Sequence, residues 1–191
     1  EREEHPPPPF NTTMFVSEAN RLGFGAATAM RIAEDLYQGG YISYPRTDNT
    51  VYPSSVNLRS VLEKLTESPF AAEARELAGQ EQIRPSRGRT QTTDHPPIYP
   101  VAGATREKIK REDHWRIYEL VVRRFFATVA PNAIALASEA KIDLGGQAFR
   151  AEGYVMRSLG WRKYYPYWQI REASLPPLVV REELDRVGPV E

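Results

Sequence analysis

The stretch Gly40-Tyr41-Ile42-Ser43-Tyr44-Pro45-Arg46-Thr47-Asp48-Asn49-Thr50 sets a candidate nucleophile, a fixed cation and a small polar cluster within a few residues. Pro45 follows Tyr44 at once and steers it into extended backbone. Tyr44 and Arg46 are two apart, so an extended chain points both to one face. A phenol and a guanidinium aimed at one phosphate are the parts of a tyrosine that cuts a nucleic-acid strand. Taken alone, Tyr-Pro-Arg reads more simply as a half-buried strand tyrosine beside a surface arginine.

The elements around this stretch must hold it in place. Residues 1–9 are acidic and then proline-rich, and four consecutive prolines make a stiff strap that excludes helix. Asn11, Thr12 and Thr13 offer caps for a helix starting near Met14, with Met14, Val16, Ala19 and Leu22 at helical spacing. Gly23-Phe24-Gly25 ends it. A second helix over 26–38 has Ala29, Met30, Ala33, Leu36 and Tyr37 as its apolar face, and Gly39-Gly40 stops it. Helix, glycine turn, helix and extended segment is the order of a helix-turn-helix with a wing, which hangs the tyrosine just beyond a helix end. Glu34 and Gln38, four apart, are placed to approach that wing from behind.

A third helix is expected from Tyr52-Pro53-Ser54, with Val56, Leu58, Val61, Leu62 and Leu65 as its stripe. A short one follows over 70–78. Residues 82–93 carry Arg84, Arg87 and Arg89 and no acidic residue, so this loop either lies along a phosphate backbone or is merely mobile. It delivers Asp94-His95. Thr105 is expected to cap a short helix through Lys110, and Asp113 to start a longer one to about Val129, with Trp115, Tyr118, Val121, Val122 and Phe125 in the core. The period then changes. Ile134, Leu136, Ser138, Ala140 and Ile142 alternate with a second set, as in a half-buried strand. Gly145-Gly146 turns it into a partner over 147–156, and Leu178-Val179-Val180 suggests another strand.

Composition narrows the classes. A chain of 191 residues can bury a full core as one or two domains. It has no cysteine, which excludes disulfides and thiolate metal sites. No apolar run is long enough to span a membrane, and no signal peptide is visible, so a cytoplasmic location is expected. Lysine and arginine balance aspartate and glutamate at 25 each, which argues against a simple nucleic-acid coat but not against local basic patches. The opening Glu1-Arg2-Glu3-Glu4, without an initiator Met, is expected of a piece of a longer polypeptide.

The residues of the central stretch resemble the active-site signature of the type IA DNA topoisomerases, Gly-x-Ile-(Ser/Thr)-Tyr-x-Arg-Thr-Asp-(Ser/Asn), carried here by Gly40, Ile42, Ser43, Tyr44, Arg46, Thr47, Asp48 and Asn49. Two further stretches are similar to that family at the right spacing. They are Pro6-Pro7-Pro8-Pro9-Phe10-Asn11-Thr12-Thr13 and Thr93-Asp94-His95-Pro96-Pro97-Ile98-Tyr99-Pro100, the latter in a form most like the archaeal enzymes. Gly160-Trp161-Arg162-Lys163-Tyr164-Tyr165 resembles a stretch that follows the family's active-site domain. The resemblance implies an α+β fold. Residues 13–130 would form a mainly helical, winged-helix-like active-site domain, and 1–12 and 131–191 would be β segments of an adjoining arch domain. It also implies an ATP-independent isomerase that cleaves single-stranded DNA through a 5′-phosphotyrosine, passes a strand and religates. A covalent phosphotyrosine keeps the phosphodiester energy, so the cut can be reversed.

The resemblance makes Tyr44 and Arg46 catalytic, Arg46 by stabilising transition-state charge. It places His95, Asp94, Thr47, Arg84, Arg87 and Arg89 toward DNA. It maps Glu34 and Gln38 to polar positions near the active site, with the two residue types exchanged. Thr47, Asp48 and Asn49 also suit shaping the loop after Arg46. Magnesium would be bound by a separate acidic domain of the same polypeptide, whose Asp-x-Asp-x-Glu pattern does not occur in these residues. Three other readings stay open: the topoisomerase part of a reverse gyrase, a non-catalytic winged-helix DNA-binding module, and a protein-interaction domain using the proline strap and hairpin. The winged-helix reading requires a basic, exposed second helix, yet that helix carries Glu34 and Asp35 beside Arg31.

Overall fold

The computed structural model describes residues 1–176, which form an α+β fold of five α-helices and one three-stranded antiparallel sheet. The strand expected at Leu178-Val179-Val180 lies outside the described residues. The helices are α1 (Thr12–Arg21), α2 (Ala26–Gln38), α3 (Leu58–Leu65), α4 (Ala71–Ala78) and α5 (Glu112–Val129). The sheet runs β1 (Arg2–Glu4), β2 (Ala133–Leu144) and β3 (Gln147–Ser158) in that order.

The helix boundaries follow capping chemistry. Asn11 caps α1 by accepting from the Met14 N–H at 2.9 Å. α1 and α2 end alike. Gly23 and Gly40 take φ of +90° and +76°, and Phe24 and Tyr41 donate back to the carbonyls of Ala19 and Leu36. Only glycine enters that left-handed region without strain, so the two turns fix where each helix stops. Two expected helices are corrected. The third starts at Leu58, because residues 53–56 make one turn and the Asn57 side chain then caps the Ser60 N–H. The segment after Thr105 is a single turn, closed by Lys108 and Ile109 donating to the Thr105 carbonyl, and it does not propagate.

α5 is the axis of the core. Trp115, Tyr118, Val121, Val122, Phe125 and Phe126 are all buried on it, and α2, α4 and the 3₁₀ turn Gly160–Lys163 pack against it. The buried face of α1 differs from expectation. It is Phe15, Glu18 and Ala19, while Met14, Val16 and Leu22 are only partly covered. Glu18 can be buried because Tyr165 Oη (3.2 Å) and Trp168 Nε1 (3.1 Å) both donate to its carboxylate. Arg124 is buried nearby, donates from Nε to the Pro8 carbonyl at 2.8 Å, and lies over the rings of Phe10 and Tyr165. Burial draws its pKa below the usual guanidinium value. The proline strap is thereby fastened to α5.

The hairpin has the expected turn, with Leu144 facing Gln147 across Gly145-Gly146. Neither face is buried along its whole length. Ala133 and Ala135 are buried at the base, whereas Leu136 is 44% exposed and Phe149 on the partner strand 41%. Only the base meets the helical body, where Trp161 donates to the Pro131 carbonyl, so the outer hairpin projects from it.

α2 is tied to α5 by polar contacts as well. His114 Nε2 meets Asp35 Oδ2 at 3.0 Å and its Nδ1 meets Asp113 Oδ1 at 2.8 Å. Partial burial opposes the charge on Asp113, but hydrogen bonds from His114 and Arg111 prevail and hold its pKa down at about 2. Its contribution is therefore complete above the unfolded aspartate pKa of about 4 and is lost as pH falls through about 2. Asp113→Asn is expected to lower the melting temperature at pH 7, with the gap to the parent closing as pH falls to about 2. A gap that stays constant over that range in thermal scans would show that Asp113 acts only by shape.

Candidate active site

Three separated segments converge around Tyr44. Residues 41–43 run antiparallel to 97–101, joined by the Ile42–Pro100 bridge and by Ser43 N–H to Tyr99 O and Val101 N–H to Tyr41 O, both 2.9 Å. The buried Ser43 hydroxyl donates to Pro97 O at 2.9 Å and accepts from Tyr99 N–H at 3.0 Å. On the other side, Thr12 Oγ1 donates to Pro45 O at 2.8 Å and accepts from Thr47 N–H at 2.8 Å. Thr12 was expected only as a helix cap; it ties the strap to the tyrosine segment.

Tyr44 is half-buried. Its ring lies 4.7 Å from that of His95 and 5.2 Å, edge-on, from that of Tyr37. No hydrogen bond engages its hydroxyl among the described residues. Arg46 donates from Nε at 2.8 Å, and also from Nη2, to the same Glu34 oxygen. Glu34 and Tyr37 are three apart on α2, so Tyr44 and Arg46 rest against one face of that helix. The two-residue spacing therefore keeps both side chains together, as extended backbone requires. Tyr37, expected in the core, is instead 44% exposed and serves as this contact. Its position three residues after Glu34 was the available sign.

Thr47 and Asn49 are buried. Thr47 Oγ1 donates to the His95 carbonyl at 3.3 Å, and Asn49 Nδ2 donates to the carbonyls of His95 (3.1 Å) and Thr92 (3.0 Å). Thr47 thus acts on the site by holding the backbone of His95, with little surface of its own. Asp94 and His95 are exposed, and the His95 ring is the one that meets Tyr44. Gln38 is exposed on α2 and makes no described hydrogen bond. Arg84, Arg87 and Arg89 are exposed on a loop whose middle is pinned rather than loose. Thr50 N–H donates to Thr90 O and Gly88 N–H to Thr50 O, each at 2.9 Å, and Ser86 Oγ donates to Pro7 O at 2.6 Å.

A phenol with a free hydroxyl, an imidazole against its ring and a bidentate guanidinium on the same helix face fit an incoming phosphodiester. A model of the DNA topoisomerase family matches residues 1–188. This chain belongs to the DNA topoisomerase family. It is 49% identical over 176 residues to DNA topoisomerase 1 of Archaeoglobus fulgidus, covering 92% of this chain and 26% of that protein. It is 44% identical over 181 residues to DNA topoisomerase 1 of Thermoplasma acidophilum, covering 95% of this chain and 23% of that protein. Full-length topoisomerase I from Thermotoga maritima shares the fold, with a TM-score of 0.70 at 23% identity over 93% of this chain and 30% of that one. The chain spans about a quarter of the length of the curated archaeal relatives it matches.

Magnesium, which the sequence resemblance implies, finds no donor set here. Among the described residues no group of three or more His, Asp or Glu side chains could hold a metal ion. Nor is any helix of the described residues long and apolar enough to cross a membrane.

Proposed function

We propose that this chain is the tyrosine-bearing segment of a type IA topoisomerase, and that Tyr44 is the nucleophile that opens one DNA strand. The observation that carries this reading is the convergence of Tyr44 and the Arg46–Glu34 pair on one face of α2, with the His95 ring against that of Tyr44. In the proposed reaction Tyr44 Oη attacks a backbone phosphorus and loses its proton. The bond to the 3′ oxygen breaks, and that oxygen leaves as a 3′ hydroxyl after taking up a proton. The 5′ phosphate stays on the tyrosine, and the reverse attack by the 3′ hydroxyl reseals the strand. Arg46 holds the non-bridging oxygens as charge builds on them. His95, with Asp94 beside it, contacts the same phosphate or its neighbour, and Arg89 lines the approach. Glu34 orients Arg46, and Gln38 extends that polar face of α2.

The same reading takes residues 13–130 as a winged-helix-like active-site domain, with 41–50 as the wing. Residues 1–12 and 131–191 become parts of an arch domain. Pairing of β1 with β2, across the whole helical body in sequence, supports that division. Single-stranded DNA as substrate, a magnesium-binding acidic domain elsewhere in the polypeptide, and a cytoplasmic setting belong to the proposal as well. The full-length enzyme is the material for the test. It is incubated with labelled single-stranded oligonucleotide, quenched with denaturant, digested and mapped by mass spectrometry. The nucleotide is expected on Tyr44 through its 5′ phosphate. Attachment at another residue, or through a 3′ phosphate, overturns the assignment.

A further inference from the structure

A cleft of about 590 Å³ lies apart from Tyr44, between the arginine loop, the end of α5 and the start of the proline strap. Its charged and titratable lining is His5, Arg84 and Arg87, and no aspartate or glutamate lines it. Among the described residues Arg46, Arg106, Arg111, Arg123, Arg150 and Arg162 pair with carboxylates, and Arg59, Arg116 and Arg124 spend their donors on backbone carbonyls. Arg84 and Arg87 are engaged in neither way there. Each is held by a neutral acceptor, Gln82 Oε1 at 2.8 Å and Gln91 Oε1 at 3.3 Å, so each is oriented while keeping its full charge. In a chain of zero net charge, a carboxylate-free cleft with two such guanidiniums is a local positive field.

The end of α5 would ordinarily disfavour an anion here, because its last carbonyls carry partial negative charge. Those carbonyls are already occupied. Ser86 N–H donates to Thr128 O at 2.7 Å and Gln80 Nε2 to Val129 O at 3.0 Å. Asn132 receives His5 Nδ1 at 3.3 Å on its oxygen and gives its amide to Glu3 at 2.9 Å, which directs that carboxylate onto the amide. The loop that forms one wall then continues, pinned to Thr50, into His95 at the Tyr44 ring.

We propose that this cleft is a second station for a nucleic-acid strand, in which Arg84 and Arg87, with His5 beside them, hold a backbone phosphodiester away from the cutting site. The proposal rests on the topoisomerase reading and deepens it. The loop is the track between the two stations. Holding the strand there keeps one side of the break from drifting while Tyr44 carries the other.

The test uses the full-length protein with Tyr44→Phe, so that no covalent step enters, and reads equilibrium binding of a fluorescent single-stranded oligonucleotide. Arg84→Gln combined with Arg87→Gln is expected to weaken binding roughly tenfold at low salt and to flatten the log–log salt slope by about 0.7, the contribution of one neutralised single-strand phosphate. Unchanged affinity and slope overturn the proposal. A second measurement needs no substitution in the cleft. Phenylglyoxal modification of Arg84 and Arg87, read by mass spectrometry, is expected to slow when oligonucleotide is added and not with inorganic phosphate at the same phosphorus concentration. Equal protection by inorganic phosphate would mark an adventitious ion only, and no protection by either would leave the cleft without this role. Failure of the topoisomerase reading shows separately, as DNA adducts that map away from Tyr44.

Discussion

Tyr44→Phe in the full-length enzyme is expected to abolish denaturant-resistant DNA adducts, by a factor of about 10⁴ or more, the scale on which removing a nucleophile acts. The substitution deletes one oxygen and leaves the ring. That ring keeps its edge contact with Tyr37 and its tilted contact with His95. The lost hydroxyl leaves no described partner behind, so no buried group is orphaned and stability should stay within about 0.5 kcal/mol. Non-covalent binding of single-stranded DNA should fall by no more than about threefold, the size of one neutral hydrogen bond or less. The combination is diagnostic. A structural tyrosine would lose stability with little effect on adducts, whereas the nucleophile loses adducts alone. Adducts that persist in the Phe variant would move the chemistry to another residue.

Much of this site was legible because its residues lie close in sequence. The Tyr44–Arg46 spacing, the glycine turns after α1 and α2 and the loop ending in His95 are local signals, and each acts through local backbone geometry. The arrangement that makes them a site is not local. Ser43 reaches Pro97, Asn49 reaches His95 and Thr12 reaches Pro45, all between a side chain and a distant backbone group. Such bonds leave no periodic trace, since any serine, threonine or asparagine in a loop could make them.

The misread faces have the same origin. Helical spacing drew the α1 face through Met14, Val16, Ala19 and Leu22, whereas the buried face includes Glu18, because Tyr165 and Trp168, far along the chain, supply the donors that make burying a carboxylate tolerable. Alternation in β2 was real, yet alternation alone does not say which face meets the body. The base of the hairpin, fixed by Trp161, decided for Ala133 and Ala135. Tyr37 was assigned to the core because its ring is apolar, and it lies outside because Tyr44 offers it an aromatic edge.

Arg46→Lys keeps the charge and is nevertheless expected to slow single-turnover cleavage about a hundredfold, within the range found when one transition-state donor is removed. Arg46 spends two of its donors, on Nε and Nη2, on a single oxygen of Glu34. This fixes the plane of the guanidinium and leaves the Nη1 edge free to meet a phosphate. In the proposed reaction the fork serves two partners at once, one that orients it and one that reacts. A lysine ammonium is a compact point charge on a flexible stem. It can sit against Glu34 or turn to the phosphate, and in either case it lacks the planar edge that tracks the oxygens as charge develops. Both side chains in the pair are substantially solvent-exposed, at 59% for Arg46 and 36% for Glu34. The ion pair itself therefore adds little to stability, and the fold should not register the change. Ground-state affinity should drop by only about threefold, because a lysine still supplies one phosphate contact to a single strand. The loss thus falls on the rate of cleavage far more than on binding. Rapid-quench measurement of adduct formation at saturating enzyme separates the two. Equal rates for the arginine and lysine proteins would remove Arg46 from the transition state and leave it a surface cation that happens to neighbour the nucleophile.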